Sequence, residues 1–141
     1  MVKRSIQFIP LQRSRQLAEL ADRGKASLTR YAGIQVDYDA VGLQMLDEWI
    51  ERHLRQFPHP SPEIRTVWGA FLGETFRRRH QGQWGIENGQ QRPRLGIICP
   101  RKTQDPLFID VMDQITRRIR MGMGESLAFY YTIQGIEIES L

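Results

Sequence analysis

Glu74, Cys99 and the three histidines are the side chains whose types could carry catalysis, and their spacing limits what each can do. Glu74 follows Phe71 by three residues and Val67 by seven, which puts it near the apolar stripe of a helix. A carboxylate there needs a partner, and Arg78 stands one helical turn on. General acid–base chemistry asks for a second group beside it, and local spacing supplies no second carboxylate. Glu74 and Arg78 therefore read as a structural polar tie between a helix and the strands that follow. His53, His59 and His80 lack the i, i+4 partner that sets two ligands on one helix face. His53 lies on an apolar stripe as a packed ring, His59 stands between two prolines, and His80 ends a helix, where a cation is favoured anyway. Cys99 closes an apolar run, the setting of a buried, unreactive thiol. A single cysteine also excludes an intrachain disulfide framework and an all-cysteine zinc site. No nucleophile elbow, phosphate-binding loop or dinucleotide fingerprint occurs, and Gly122-Met123-Gly124 follows a helix instead of opening one. The expectation is a protein with no catalytic, cofactor-binding or metal-binding residue. An enzyme would instead need a pocket that gathers Glu74, His80 or Cys99.

Arginine is the stronger signal. Of the 20 basic residues only Lys3, Lys25 and Lys102 are lysines. Arg77-Arg78-Arg79 and Arg117-Arg118 with Arg120 each fill the last turn of a helix, where cations complement unpaired carbonyls by ~0.3–1 kcal/mol each. Adjacent helical residues are ~100° apart, so three consecutive arginines cannot face one ligand. Arg78 is assigned to Glu74, which leaves Arg77, Arg79, Arg117 and Arg120, together with Trp84, as the candidate interaction surface. The net charge is +4, but positive and negative segments alternate: residues 1–36 and 65–102 are basic, 37–64 and 103–141 acidic. A nucleic-acid binder would keep one basic face and interleave aromatics with it. A protein partner is expected, with nucleic acid the disfavoured alternative.

These residues need elements to hold them. The chain has 141 residues, one domain's worth, with 40% apolar and 26% charged residues. Leu17, Leu20, Ala21, Leu28 and Tyr31 mark a helix over 11–31, which Gly24 could break in two. Val41, Met45, Leu46, Trp49, Ile50, His53, Leu54 and Phe57 mark a second helix, with Asp47, Glu48, Glu51, Arg52 and Arg55 on its polar side and Asp39 as N-cap. Pro58 and Pro60 stop it, and Ser61-Pro62-Glu63 starts a third helix carrying Ile64, Val67, Trp68, Phe71, Leu72 and Phe76. Gly73 in its middle predicts close approach of another backbone. Residues 83–87 and 94–99 read as a β-hairpin around Asn88-Gly89. Asp105-Pro106 is expected to start a fourth helix carrying Leu107, Phe108, Val111, Met112, Ile115 and Ile119. Residues 127–133 read as a short helix, and the alternation of Ile136-Glu137-Ile138-Glu139 as a terminal strand. The fold class expected is a single α+β domain over 1–141: a mostly helical N-terminal half, then a hairpin packed with a further helix. Residues 1–35 are left open as a peripheral helical extension.

The run Phe71-Leu72-Gly73-Glu74, the arginines after it and Gly82-Gln83-Trp84 resemble a helix-to-strand junction of uncharacterised bacterial domain families. Some of these are grouped with toxin-immunity proteins, and they carry (F/Y)-L-G-E, then arginines, then G-x-W. Val36-Asp37-Tyr38, Leu46-Asp47-Glu48, Gly124-Glu125-Ser126-Leu127 and Tyr130 are similar to the flanking parts of that pattern, so the likeness covers residues 36–133. The resemblance implies an α+β domain with a protein-binding, immunity-like or regulatory role, and it transfers no catalytic residue. With no apolar run near the ~20 residues that span a bilayer, no membrane partner and a cytoplasmic location are expected.

Overall fold

The computed structural model describes residues 5–89 and 91–140. Strand β1 (Ser5–Phe8) leads into α1 (Leu11–Ala32), α2 (Ala40–Gln56) and α3 (Pro62–His80). Strands β2 (Gln83–Asn88), β3 (Arg94–Cys99) and β4 (Leu107–Ile109) follow, then α4 (Val111–Met121), a 3₁₀ turn (Gly122–Glu125) and α5 (Leu127–Glu139). The four strands form one antiparallel sheet in the order β1-β2-β3-β4. The chain is thus an α+β domain with a helical N-terminal half.

Helix α3 is the axis of the fold, packing against α1, α4, α5, β2 and β3. Every residue from 68 to 76 is buried, so its apolar character is spread around the helix instead of lying in one stripe. That is the pattern of a helix surrounded by protein. Caps behave as their chemistry demands: Gly42 N–H donates to Asp39 at 2.8 Å and Ile64 N–H to Ser61 at 3.2 Å. In the sheet, Trp84, Ile97, Cys99 and Ile109 are buried, and Trp84 pairs with Ile97, which pairs with Ile109. That row faces the helices.

Several expectations are corrected. Gly24 does not break α1; it is buried where Val67 crosses, and a Cβ there would stand 2.8 Å from a Val67 methyl. The described part of segment 1–35 is packed into the fold, with Leu17, Ala21 and Leu28 in the core and β1 paired to β2. Strand β1 alternates polar and apolar residues, Ser5-Ile6-Gln7-Phe8, but it is only four residues long and all of them are exposed. Val41 and Phe57 extend the α2 stripe but are exposed, at the two ends of the helix. Leu107 and Phe108 belong to β4, and α4 begins later, capped by Asp110, which accepts from Asp113 N–H. The tail is one helix to Glu139; no strand neighbours Ile136 among the described residues, and i, i+4 packing takes over. Among the described residues no helix is long and apolar enough to cross a membrane.

Gly73 is a packing site of a different kind from the one expected. A Cβ there would overlap the six-membered ring of Trp84, so the indole, not a backbone, fills the space. Gly73→Leu is expected to destabilise the fold by ~1–3 kcal/mol through overpacking, despite leucine's better helix propensity. Urea unfolding reads this directly, and a variant as stable as the native chain would mean that the indole has somewhere else to go.

Candidate interaction surface

The chemistry-capable residues divide into those consumed by the interior and those left at the surface. Glu74 is fully buried on α3. Its carboxylate accepts from Arg77 Nε at 2.7 Å and Nη2 at 2.8 Å, from Arg78 Nε at 3.2 Å and from Trp84 Nε1 at 2.9 Å. Burial alone would raise this carboxyl; the bonds from Arg77 and Trp84 outweigh it and hold it below the usual carboxylate range. The residues quoted for the helix-to-strand junction therefore form a clasp. Gly73 seats the indole, Glu74 holds its N–H, and Arg77 closes over the carboxylate. The tie expected with Arg78 exists, but Arg77 is the bidentate partner and Arg78 makes one longer bond while stacking on the Tyr38 ring. The i+3 guanidinium reached the acid in its planar fork. Trp84, expected in the interaction surface, is 2% exposed and lies in the interior, with its indole N–H on Glu74.

A second buried hub was not legible as one. Asp47, expected on the polar side of α2, is buried, and Arg118 of the second arginine cluster is fully buried. Arg118 donates to Asp47 Oδ1 at 2.8 Å, to Asp47 O at 3.0 Å and to Glu51 at 2.9 Å. The same aspartate accepts the amides of Leu127 and Ala128 at 2.9 and 3.0 Å, which closes the N-terminal turn of α5 onto α2. The signal was present in the spacing: Arg118 follows Val111 by seven and Ile115 by three, and Asp47 follows Leu43 by four. Arg118 thus lies on the apolar stripe of α4, and Asp47 at the border of the α2 stripe, where α5 covers it.

Cys99 is buried in the sheet, and burial pushes its thiol up to about 12. His80 is buried beside Glu139 at 3.6 Å; desolvation lowers its pKa, and the Arg79 charge adds to this against the pull of Glu139. His53 packs edge-on against Trp68, and His59 is exposed.

What remains outside is basic. Helix α4 puts Val111, Ile115 and Arg118 inward and Asp113, Thr116, Arg117 and Arg120 outward. Across from that outer face lie Arg92 and Arg94 of the hairpin, and the two sides enclose a groove of about 680 Å³. Arg94 pairs with Asp110 at 3.5 Å and Arg117 with Asp113 at 2.9 Å. Among the described residues, Arg92 and Arg120 have no acidic partner. Leu95 and Met112 contribute apolar surface between the charges. Burial is the main influence raising the Asp110 carboxyl, and Asp113 adds to it; the Asp113 amide and Arg94 oppose. Two of the four candidate arginines, Arg117 and Arg120, thus meet here, joined by Arg92, Arg94, Asp110 and Asp113, which sequence spacing could not bring to them. Arg79 stands elsewhere, pairing with Glu139 at 3.6 Å, and Arg77 is held by Glu74.

Comparison with protein-family models, curated proteins and solved structures finds no match to this chain. The groove's own chemistry is therefore the guide to function.

Proposed function

We propose that this protein is a small non-enzymatic interaction domain, immunity-like or regulatory, that docks an acidic segment of a protein partner in the groove between the hairpin and α4. The observation that carries the proposal is the groove's lining. Arg92 and Arg120 offer unpaired guanidiniums, Arg94 and Arg117 are held in place by Asp110 and Asp113, and Leu95 and Met112 give apolar contact. Guanidinium forks match carboxylates in geometry. Among the described residues no aromatic ring lines the groove for bases to stack on, so nucleic acid fits it less well. The resemblance of the Glu74–Trp84 junction to immunity-grouped families agrees with a binding role.

The test uses a glutamate-rich peptide as probe and a random-sequence DNA or RNA oligonucleotide as competitor class. Wild-type protein is expected to bind the peptide, and Arg92→Glu with Arg120→Glu to weaken that binding at least tenfold per arginine lost, about 1.4 kcal/mol each. Tight oligonucleotide binding with a steep salt dependence, abolished by the same pair, would replace the protein partner by a nucleic acid.

A further inference from the structure

One face of α1 stands beside the Glu74 clasp with its polar groups unspent. Leu11, Ser14, Arg15 and Ala18 follow one another at i, i+3, i+4 and i+7, the spacing of neighbours on one side of a helix. Across from them are Arg77 on α3 and Gln83 and Trp84 at the start of β2, and the two walls enclose a hollow of about 440 Å³. That is the size of a small-molecule site. Among the described residues no acid lines it. Arg15 is exposed and has no acidic partner among them, and neither the Ser14 hydroxyl nor the Gln83 carboxamide is hydrogen-bonded within the described structure. Arg77 is the fixed member of the set. A guanidinium has five N–H donors, and Glu74 occupies one edge of this one, through Nε and Nη2. The other edge, Nη1 with the second N–H of Nη2, has no acceptor among the described residues, and the side chain is 36% exposed. Because Glu74 already holds the group, little rotamer freedom is left to lose when an anion arrives.

We propose that this hollow binds a small molecule through a phosphate monoester group. The two guanidiniums come from opposite walls, Arg15 from α1 and Arg77 from α3, and Ser14 and Gln83 add a hydroxyl and an amide. A phosphate monoester carries a charge of about −1.5 to −2 at pH 7 and three outer oxygens, which matches two cations and several further donors. A carboxylate brings one charge and two oxygens and leaves one guanidinium unmatched. Leu11, Ala18 and Trp84 supply apolar wall for the organic part of the ligand, and Leu11, otherwise 67% exposed, gains cover from it. The Glu74 charge behind Arg77 is already shared with Arg78 and the Trp84 N–H, so it does not cancel the positive lining. The hollow shares no residue with the groove between the hairpin and α4 and stands or falls separately from the acidic-segment reading.

Heteronuclear NMR of the full chain, titrated with phenyl phosphate to ~10 mM, a range suited to a ligand of few atoms, tests this. Saturable shifts are expected at the Trp84 indole N–H and at the amides of Gly82 and Gln83, with benzoate binding at least tenfold more weakly. Arg15→Gln should weaken phenyl phosphate at least tenfold with Tm unchanged, because the side chain is exposed and unpaired. Arg23→Gln removes the same charge from an exposed position on the same helix outside the hollow and should leave binding within twofold of wild type. No saturable shift at these signals overturns the proposal, as do shifts confined to the amides of Arg94 and Arg117, which place the anion in the groove. An Arg15→Gln chain that binds like wild type, or an Arg23→Gln chain that loses as much, also overturns it. Benzoate as tight as phenyl phosphate overturns the phosphate assignment, and a phosphoserine peptide that binds at least tenfold tighter overturns the small molecule.

Discussion

Asp47→Ala is expected to lower the unfolding free energy by ~3–5 kcal/mol, enough to unfold many domains of this size. The deletion leaves Arg118 fully buried with its Nε unpaired and removes the acceptor for two α5 amides at once. Breaking a buried ion pair from one side strands the other charge in a poorly solvating interior, which is why the loss exceeds that of an ordinary hydrogen bond. Glu51→Ala is the control. Its side chain is one-third exposed and meets only one Arg118 nitrogen, which retains water on that side, so a loss of ~1 kcal/mol or less is expected. Replacing both buried partners, Asp47→Leu with Arg118→Met, should cost less than Asp47→Ala alone, since no orphaned charge remains. Denaturant titration of the three variants checks the order; equal losses for Asp47→Ala and Glu51→Ala would mean that water reaches Arg118.

The contrast between the two buried hubs shows what a sequence discloses. Glu74 and its arginines lie within one helical turn, and the helix period alone brings them together, so the tie was visible before the fold was known. Which arginine makes the fork was not, because i+3 and i+4 are equally near and the choice depends on where Tyr38 stacks. Asp47 and Arg118 are 71 residues apart, and only the packing of α2 beside α4 and α5 joins them. Arg118 falls at the spacing of Val111 and Ile115, which flags a partner without naming it, whereas Asp47 reads as a residue of the polar side of α2 and is buried by the packing of α5. The groove was further from view. Arg117 and Arg120 share a face of α4 by their spacing, but Arg92 arrives on the hairpin loop and Arg94 at the start of β3, where the hairpin register sets Ile86 opposite Leu95 and Glu87 opposite Arg94. Elements with a buried face and a cap, α2 and α3, were legible in type and extent. Strand β1 and the end of α5 were not: β1 is a four-residue alternation with no buried face, and the alternation of residues 136–139 points to a strand where the chain continues as helix.

The clasp gives each residue of the junction a structural task. Phe71, Gly73, Glu74, Arg77 and Trp84 span the turn where α3 hands the chain to the sheet, and each has a packing or hydrogen-bonding task there. A motif so fully occupied fixes the angle between α3 and β2, hence the position of the hairpin that carries Arg92 and Arg94. The function-bearing residues of the proposed groove are then the ones with fewest internal obligations.

Glu74→Gln is expected to destabilise the protein by roughly 3 kcal/mol at neutral pH, since charge-assisted bonds to a buried carboxylate are lost together. Glutamine keeps the shape and one acceptor oxygen, so the Trp84 N–H remains satisfied, but its amide group points a donor at the Arg77 fork, which also brings donors. The pH dependence distinguishes this from simple mispacking. The folded-state carboxyl lies below its unfolded value, so the unfolded chain binds the proton more readily. The stability contributed by Glu74 is therefore complete above the unfolded pKa of about 4.3 and is lost as pH falls through the folded one. The gap between Glu74→Gln and wild type should accordingly narrow in urea titrations taken from pH 7 toward pH 3, while the gap for Gly73→Leu stays constant. Among the arginines the same geometry orders the losses: Arg77→Gln largest, Arg78→Gln smaller, and Arg79→Gln within ~0.5 kcal/mol of wild type, as for an exposed side chain. A Glu74→Gln deficit that does not change with pH would place the cost in packing and remove the charge from the clasp.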